Sequence, residues 1–174
     1  MFCPNAPIWP FLRKFGGAAN PRDPISGTAV FEAYPVLAMI ALGWTIQNPD
    51  ESYRLPKYNP ARRKTFSLAD WRHVSKLTED ALPHYGLLGI AGWIHEIGEK
   101  PVPRKADQGC LDACICLLVA LHTSQEGKCL TIGDLLTGYI FVPYSTALHV
   151  EMDARCNATG RLATDWVTIF PSSL

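Results

Sequence analysis

The run ACICLLVAL, residues 113–121, constrains this chain more than any other feature. Nine successive residues without a charge or amide cannot all face water. Because the run is preceded by Asp107, a good helix N-cap, and extends well past strand length, it predicts a helix over about 108–123 buried on most sides. A helix of that kind needs other elements to cover it, and 174 residues suffice for one domain with a real core. Cys110, Cys114 and Cys116 fall in or beside this run, where cysteine behaves as a small hydrophobe. No CxxC pair occurs, which argues against a structural zinc site.

Around that helix the chain alternates between strand-like and helix-like stretches. Residues 1–27 are rich in Pro, Gly and Asn and read as an irregular arm, leaving residues 28–174 as the domain. TAVFEAY, residues 28–34, reads as a strand bounded by Gly27 and Pro35. Pro35 suits the first turn of a helix, Val36 to Leu42 is apolar all round, and Gly43 ends it. Residues 45–64 are polar, contain three prolines and read as a loop. Ser67 followed by Asp70 resembles a capping box and predicts a helix over about 68–81. A second helix is expected over 85–98, and Thr131 is read as the cap of a short helical turn through Leu136. GYIFV (138–142) and DWVTIF (165–170) read as strands. Such alternation predicts an α/β layered fold.

Charge narrows the function classes. Lys plus Arg and Asp plus Glu each number 16, so the net charge is zero and the whole-surface basic excess of many nucleic-acid binders is absent. Any contact with phosphates must use a local patch. The basic cluster Arg62, Arg63, Lys64, with Lys57 before it and Arg72 after, is the one candidate. It reads either as a solvated face or as a phosphate contact helped by Tyr53, Tyr58 and Trp71 as stacking partners. No uninterrupted apolar run approaches the ~20 residues of a membrane helix, and the opening MFCPNAPIWPFL has no basic leader, so a cytoplasmic protein without membrane contact is expected. The five histidines show no metal-binding spacing, and no cofactor fingerprint occurs.

Two carboxylates stand in apolar surroundings. Glu32, in VFEAYP, is either an exposed residue of an edge strand or a site residue at a strand's C-terminal end. Asp112, in CLDACICLL, either profits from the dipole at its helix N-terminus or projects toward a metal. Asp107 lies five residues away, about 140° of helical rotation, so the two do not share one ion.

VFEAYP resembles the V-I-E-V-Y/H-P segment of domain-of-unknown-function family 429, the RNase H-like nucleases. ADQGCLDACICLLVALH resembles that family's late helix, and TDWVTIFP its terminal strand, with Asp165 where Glu-Gly is usual. The resemblance implies an RNase H-like mixed sheet flanked by helices, and a nuclease that cleaves phosphodiester bonds with Mg²⁺ or Mn²⁺ held by Glu32 and Asp112. In such sites two ions about 3.5–4 Å apart clamp the attacking and leaving oxygens. It further implies nucleic acid as partner, for which Lys57, Arg62 and Arg63 of the basic loop are the candidate contacts. The family's opening D-G-x-x-x-G-G-W motif and its D-x-P-I-G motif are absent. The expected domain therefore lacks early strands and at least one catalytic carboxylate. A homo-oligomer or a separate N-terminal segment would cover the sheet edges this leaves. The alternative expectation is a non-catalytic nucleic-acid- or protein-binding module on the same fold.

Overall fold

The computed structural model describes residues 30–125, 127–134 and 138–170, with Pro10 and Lys14 besides. The expected arm at 1–27, the start of the expected strand at 28–34 and the end of the expected turn at 131–136 lie outside the described residues. The chain divides into two units, one of residues 35–127 and one formed by residues up to 34 together with those from 128 onward. Residues 28–174, expected as one domain, contribute to both units.

The unit of residues 35–127 is mainly helical. Helix α1 (Pro35–Ala41) starts at the proline, whose fixed φ and missing N–H cost nothing in a first turn. It ends in a Schellman motif. Gly43 takes φ 73°, its N–H donates to Ile40 O, and Trp44 N–H donates to Met39 O. That reversal leaves Met39 and Trp44 both buried. The expected loop then contains a short antiparallel hairpin, β1 (Ile46–Gln47) with β2 (Tyr53–Arg54). Helix α2 (Leu68–Ala81) begins at Ser67, whose hydroxyl accepts from the Asp70 N–H at 3.2 Å. A 3-10 turn (Leu82–Tyr85) holding Pro83 and closed by left-handed Gly86 separates α2 from α3 (Leu88–Gly98), so the helix expected from 85 begins three residues later.

Helix α4 (Lys105–Ser124) is the buried helix that its apolar run predicts. Its cap differs from the expectation. Arg104 is the N-cap, and Asp107 sits at N3, where its carboxylate reaches back to accept the Arg104 N–H at 2.7 Å and takes a bond from Lys100 Nζ at 2.6 Å. By length and composition α4 could cross a membrane. Here Leu111, Cys114, Ile115, Leu118 and Val119 are buried, and the helix packs on α1 and α2. The core of this unit also takes Trp71, Val74, Leu82 and Ile94.

The second unit is built on a three-stranded antiparallel sheet of order β4-β3-β5, with β3 (Cys129–Asp134), β4 (Gly138–Pro143) and β5 (Val167–Phe170). All described strand pairings in the molecule are antiparallel. Mixed α and β structure is thus present, and the parallel pairs of a mixed sheet are not seen among the described residues. Thr131 caps no helix. It lies in β3, the central strand, buried between two partners, because pairing on both sides outweighs any local turn preference. The segment expected as a strand at 28–34 is irregular over residues 30–34. It meets β4 where Phe141 N–H donates to Glu32 O at 2.7 Å and where Phe31 stacks on Phe141 with centroids 4.5 Å apart. Helix α5 (Thr146–Ala158), capped by Ser145, has no counterpart in the sequence reading. A short turn α6 (Ala163–Trp166) takes the first residues of the strand expected at 165–170.

Gly98 gives this packing a checkable sign. In most helices Gly→Ala stabilises by about 0.5–1 kcal/mol. At Gly98 an added Cβ would fall 2.8 Å from Ser75 Cβ on α2. Gly98→Ala is expected to lower stability by about 1–3 kcal/mol in denaturant unfolding. A raised midpoint would mean that α2 and α3 do not approach this closely.

Candidate functional site

Two carboxylates of the 35–127 unit hold one extended segment. From Tyr53 to Tyr58 burial alternates residue by residue, with Tyr53, Leu55 and Lys57 exposed, Pro56 and Tyr58 buried, and Arg54 between the two classes. This is the period of two of extended chain, in which successive side chains face opposite ways. The inward residues explain why the segment stays extended. Arg54 lays its guanidinium on Asp70 in a two-pronged pair, Nη1 to Oδ2 and Nη2 to Oδ1, the latter at 3.0 Å. The Lys57 N–H donates to the same carboxylate at 2.7 Å, and Ser67 Oγ donates to it at 3.0 Å. Four residues on, the Tyr58 hydroxyl donates to Asp112 Oδ1 at 2.7 Å.

The two carboxylates differ electrostatically. Asp70 has a side chain only 4 % exposed, yet the Arg54 guanidinium beside it, aided by the Lys57 N–H and the Ser67 hydroxyl, holds its pKa down at about 2 against the cost of burial. Asp112 faces neutral donors, Tyr58 and the Gln108 amide, whose Nε2 lies 3.1 Å from Oδ2. Burial therefore dominates and pushes its pKa up, only partly opposed by these bonds and by the charge of Lys105. The Cys116 thiol on the same helix is pushed up to about 11, by burial first and by Asp112 second.

Beyond Tyr58 the chain makes a loop that organises itself. Asn59 Oδ1 accepts the Ala61 N–H at 3.0 Å, Arg62 N–H donates to Asn59 O, and the carbonyl of Arg62 accepts from Thr65 and Phe66. Ser67 N–H to Lys57 O at 2.8 Å closes the base. Lys57, Arg62, Arg63 and Lys64 are exposed, and none of their side chains has a hydrogen bond or ion pair among the described residues. Several acids elsewhere are already matched, Asp107 by Lys100, Glu79 and Asp80 by Lys76, and Glu151 by Arg155. Zero net charge thus coexists with a loop of unbalanced positive charge.

Lys57, Arg62 and Arg63 come together on one loop. Of the three aromatic residues expected to stack on bases, only Tyr53 is exposed, at 68 %; Tyr58 and Trp71 are buried and hold the core. Asp112 belongs to the 35–127 unit and Glu32, exposed, to the other. Both Asp112 oxygens already accept hydrogen bonds, and among the described residues no group of three His, Cys, Asp or Glu side chains could hold a metal ion.

Sequence reasoning sees Asp70 only as a cap and misses Arg54 and Gln108. Gln108 stands four residues before Asp112 on one helix, a spacing that brings two side chains together and was readable. Arg54 and Asp70 are 16 residues apart, and no local rule joins them.

In comparisons with known proteins, no family model, no curated protein and no solved structure matches the chain.

The opposite shifts predict opposite variants. Asp70, with its folded pKa depressed, contributes stability that is present above the unfolded value of 3.8 and is lost as pH falls through about 2. Asp70→Asn is expected to cost about 1–3 kcal/mol at pH 7, allowing for solvent around Arg54, and to abolish that acid limb. Asp112, with its pKa raised above 3.8, contributes stability that is present below that value and lost as pH rises through the folded one. Asp112→Asn keeps an acceptor for Tyr58, so stability at pH 7 should hold or rise. Denaturant midpoints across pH test both, and a marked loss for Asp112→Asn at pH 7 would show that the fold requires its charge.

Proposed function

We propose that this chain is a non-catalytic nucleic-acid-binding module, working in the cytoplasm, with the loop of residues 57–64 as its contact surface. The observation that carries this reading is the set of four cationic side chains, Lys57, Arg62, Arg63 and Lys64, exposed and without partners among the described residues, on a loop whose backbone is already fixed. A cation with no protein partner is free to replace the counterions of a phosphate chain, and a pre-ordered loop loses little entropy on doing so. The RNase H-like lineage belongs to this proposal through the resemblance of VFEAYP and CLDACICLL.

Binding should follow salt. Four phosphate contacts give a log–log slope near −2.8 on a single strand, about a 50-fold loss of affinity between roughly 50 and 200 mM salt. In fluorescence anisotropy with labelled oligonucleotides, Lys57→Ala, Arg62→Ala and Arg63→Ala combined should remove about two units of that slope. Affinity indifferent to salt, or unchanged in the triple variant, would overturn the reading.

A second reading is a nuclease holding Mg²⁺ or Mn²⁺ at Glu32 and Asp112. What favours it is a half-buried carboxylate at Asp112 without a cationic partner in hydrogen-bonding contact. Calorimetric titration of either ion into the chain and into Glu32→Ala, Asp112→Ala decides it. Heat present in the first and absent in the second supports a metal site, and heat in neither retires it.

A further inference from the structure

The alternation over residues 53–58 does more than anchor the loop. It gives the outward face a composition of its own, Tyr53 at 68 % exposure, Leu55 at 39 % and Lys57, in a row that leads into Arg62 and Arg63. At about 3.3 Å per residue, Tyr53 and Lys57 stand roughly 13 Å apart along this face. Tyr53 has no hydrogen bond or ring contact among the described residues, so its ring face is available. Its backbone is paired in the hairpin with Gln47, and the next residue is clamped to Asp70. An aromatic platform is thus held rigidly at the head of a cationic track. Phosphate recognition alone uses no ring, whereas a base offers a flat face to one.

Resting on the binding reading above, we infer that the ligand is single-stranded nucleic acid, with a base stacked on Tyr53 and the following phosphates on Lys57, Arg62 and Arg63. A duplex presents the same phosphates, but its bases stack on one another and leave no face for Tyr53. The platform therefore discriminates strandedness, and it does so without reading sequence, because every base has a π-face.

The test uses the full chain and three probes of equal length, a single-stranded oligonucleotide, its abasic sugar-phosphate counterpart and a duplex. The single strand should bind about tenfold or more tighter than the abasic strand, the expected worth of one stacked base. Tyr53→Ala should bring the single strand down to the abasic level with the salt slope unchanged. Tyr53→Phe should keep the preference, and Tyr53→Leu, which retains bulk without a ring, should lose it. Equal affinity for single and abasic strands, with binding still lost in the Lys57, Arg62, Arg63 variant, overturns the stacking inference and leaves the cationic loop standing. Binding of none of the probes overturns both.

Discussion

The buried carboxylate of Asp70 is the constraint on which the 35–127 unit most visibly depends. A charge with 4 % of its side chain exposed is costly unless every lone pair is engaged, and here Arg54, the Lys57 N–H and Ser67 engage them. The same residue's N–H is capped by the Ser67 hydroxyl at the start of α2. One side chain therefore joins the hairpin, the base of the 57–67 loop and a helix N-terminus. The loop's position follows from this point and not from packing of the loop itself, whose side chains from Arg62 to Thr65 are exposed.

Asp112 does a related task by different physics. It holds the far end of the same segment through the Tyr58 hydroxyl, but it meets no cation at hydrogen-bonding distance. Burial then sets its proton affinity, and the neighbouring Cys116 thiol is made less acid in turn. A carboxylate of this kind invites a metal-ligand reading from sequence, because in both cases a charge stands among apolar residues. Among the described residues it belongs to no group of three His, Cys, Asp or Glu side chains.

Much of the helical unit could be read from local signals. Pro35 with Gly43, Ser67 with its N3 acid, and the apolar run of α4 each state a helix and its ends through caps and backbone limits that act within a few residues. The rest depends on partners far along the chain. Thr131 looks like a cap until β4 and β5 flank it. Helix α5 escaped because only Leu148 and Cys156 are buried along it, which leaves no apolar stripe to find. VFEAYP has strand composition, yet residues 30–34 are irregular. At the site, the odd standing of Asp112 and the clustering of Lys57, Arg62 and Arg63 were visible, while the Arg54–Asp70 clamp was not, since a capping acid and a hairpin arginine look ordinary when taken singly.

The two-sided character of residues 53–58 bears on how such a surface could change over time. Its inward members, Arg54, Pro56 and Tyr58, secure the chain, and its outward members, Tyr53, Leu55 and Lys57, face solvent. Substitutions on the solvent side touch no anchoring bond, so recognition is free to drift while folding is conserved. A single-residue insertion or deletion has the reverse character. It would exchange the two faces over its length, turning anchors outward and contacts inward at once. Point substitution and change of length are thus unequal routes of variation in this segment, the first tuning what is bound and the second dismantling what holds it.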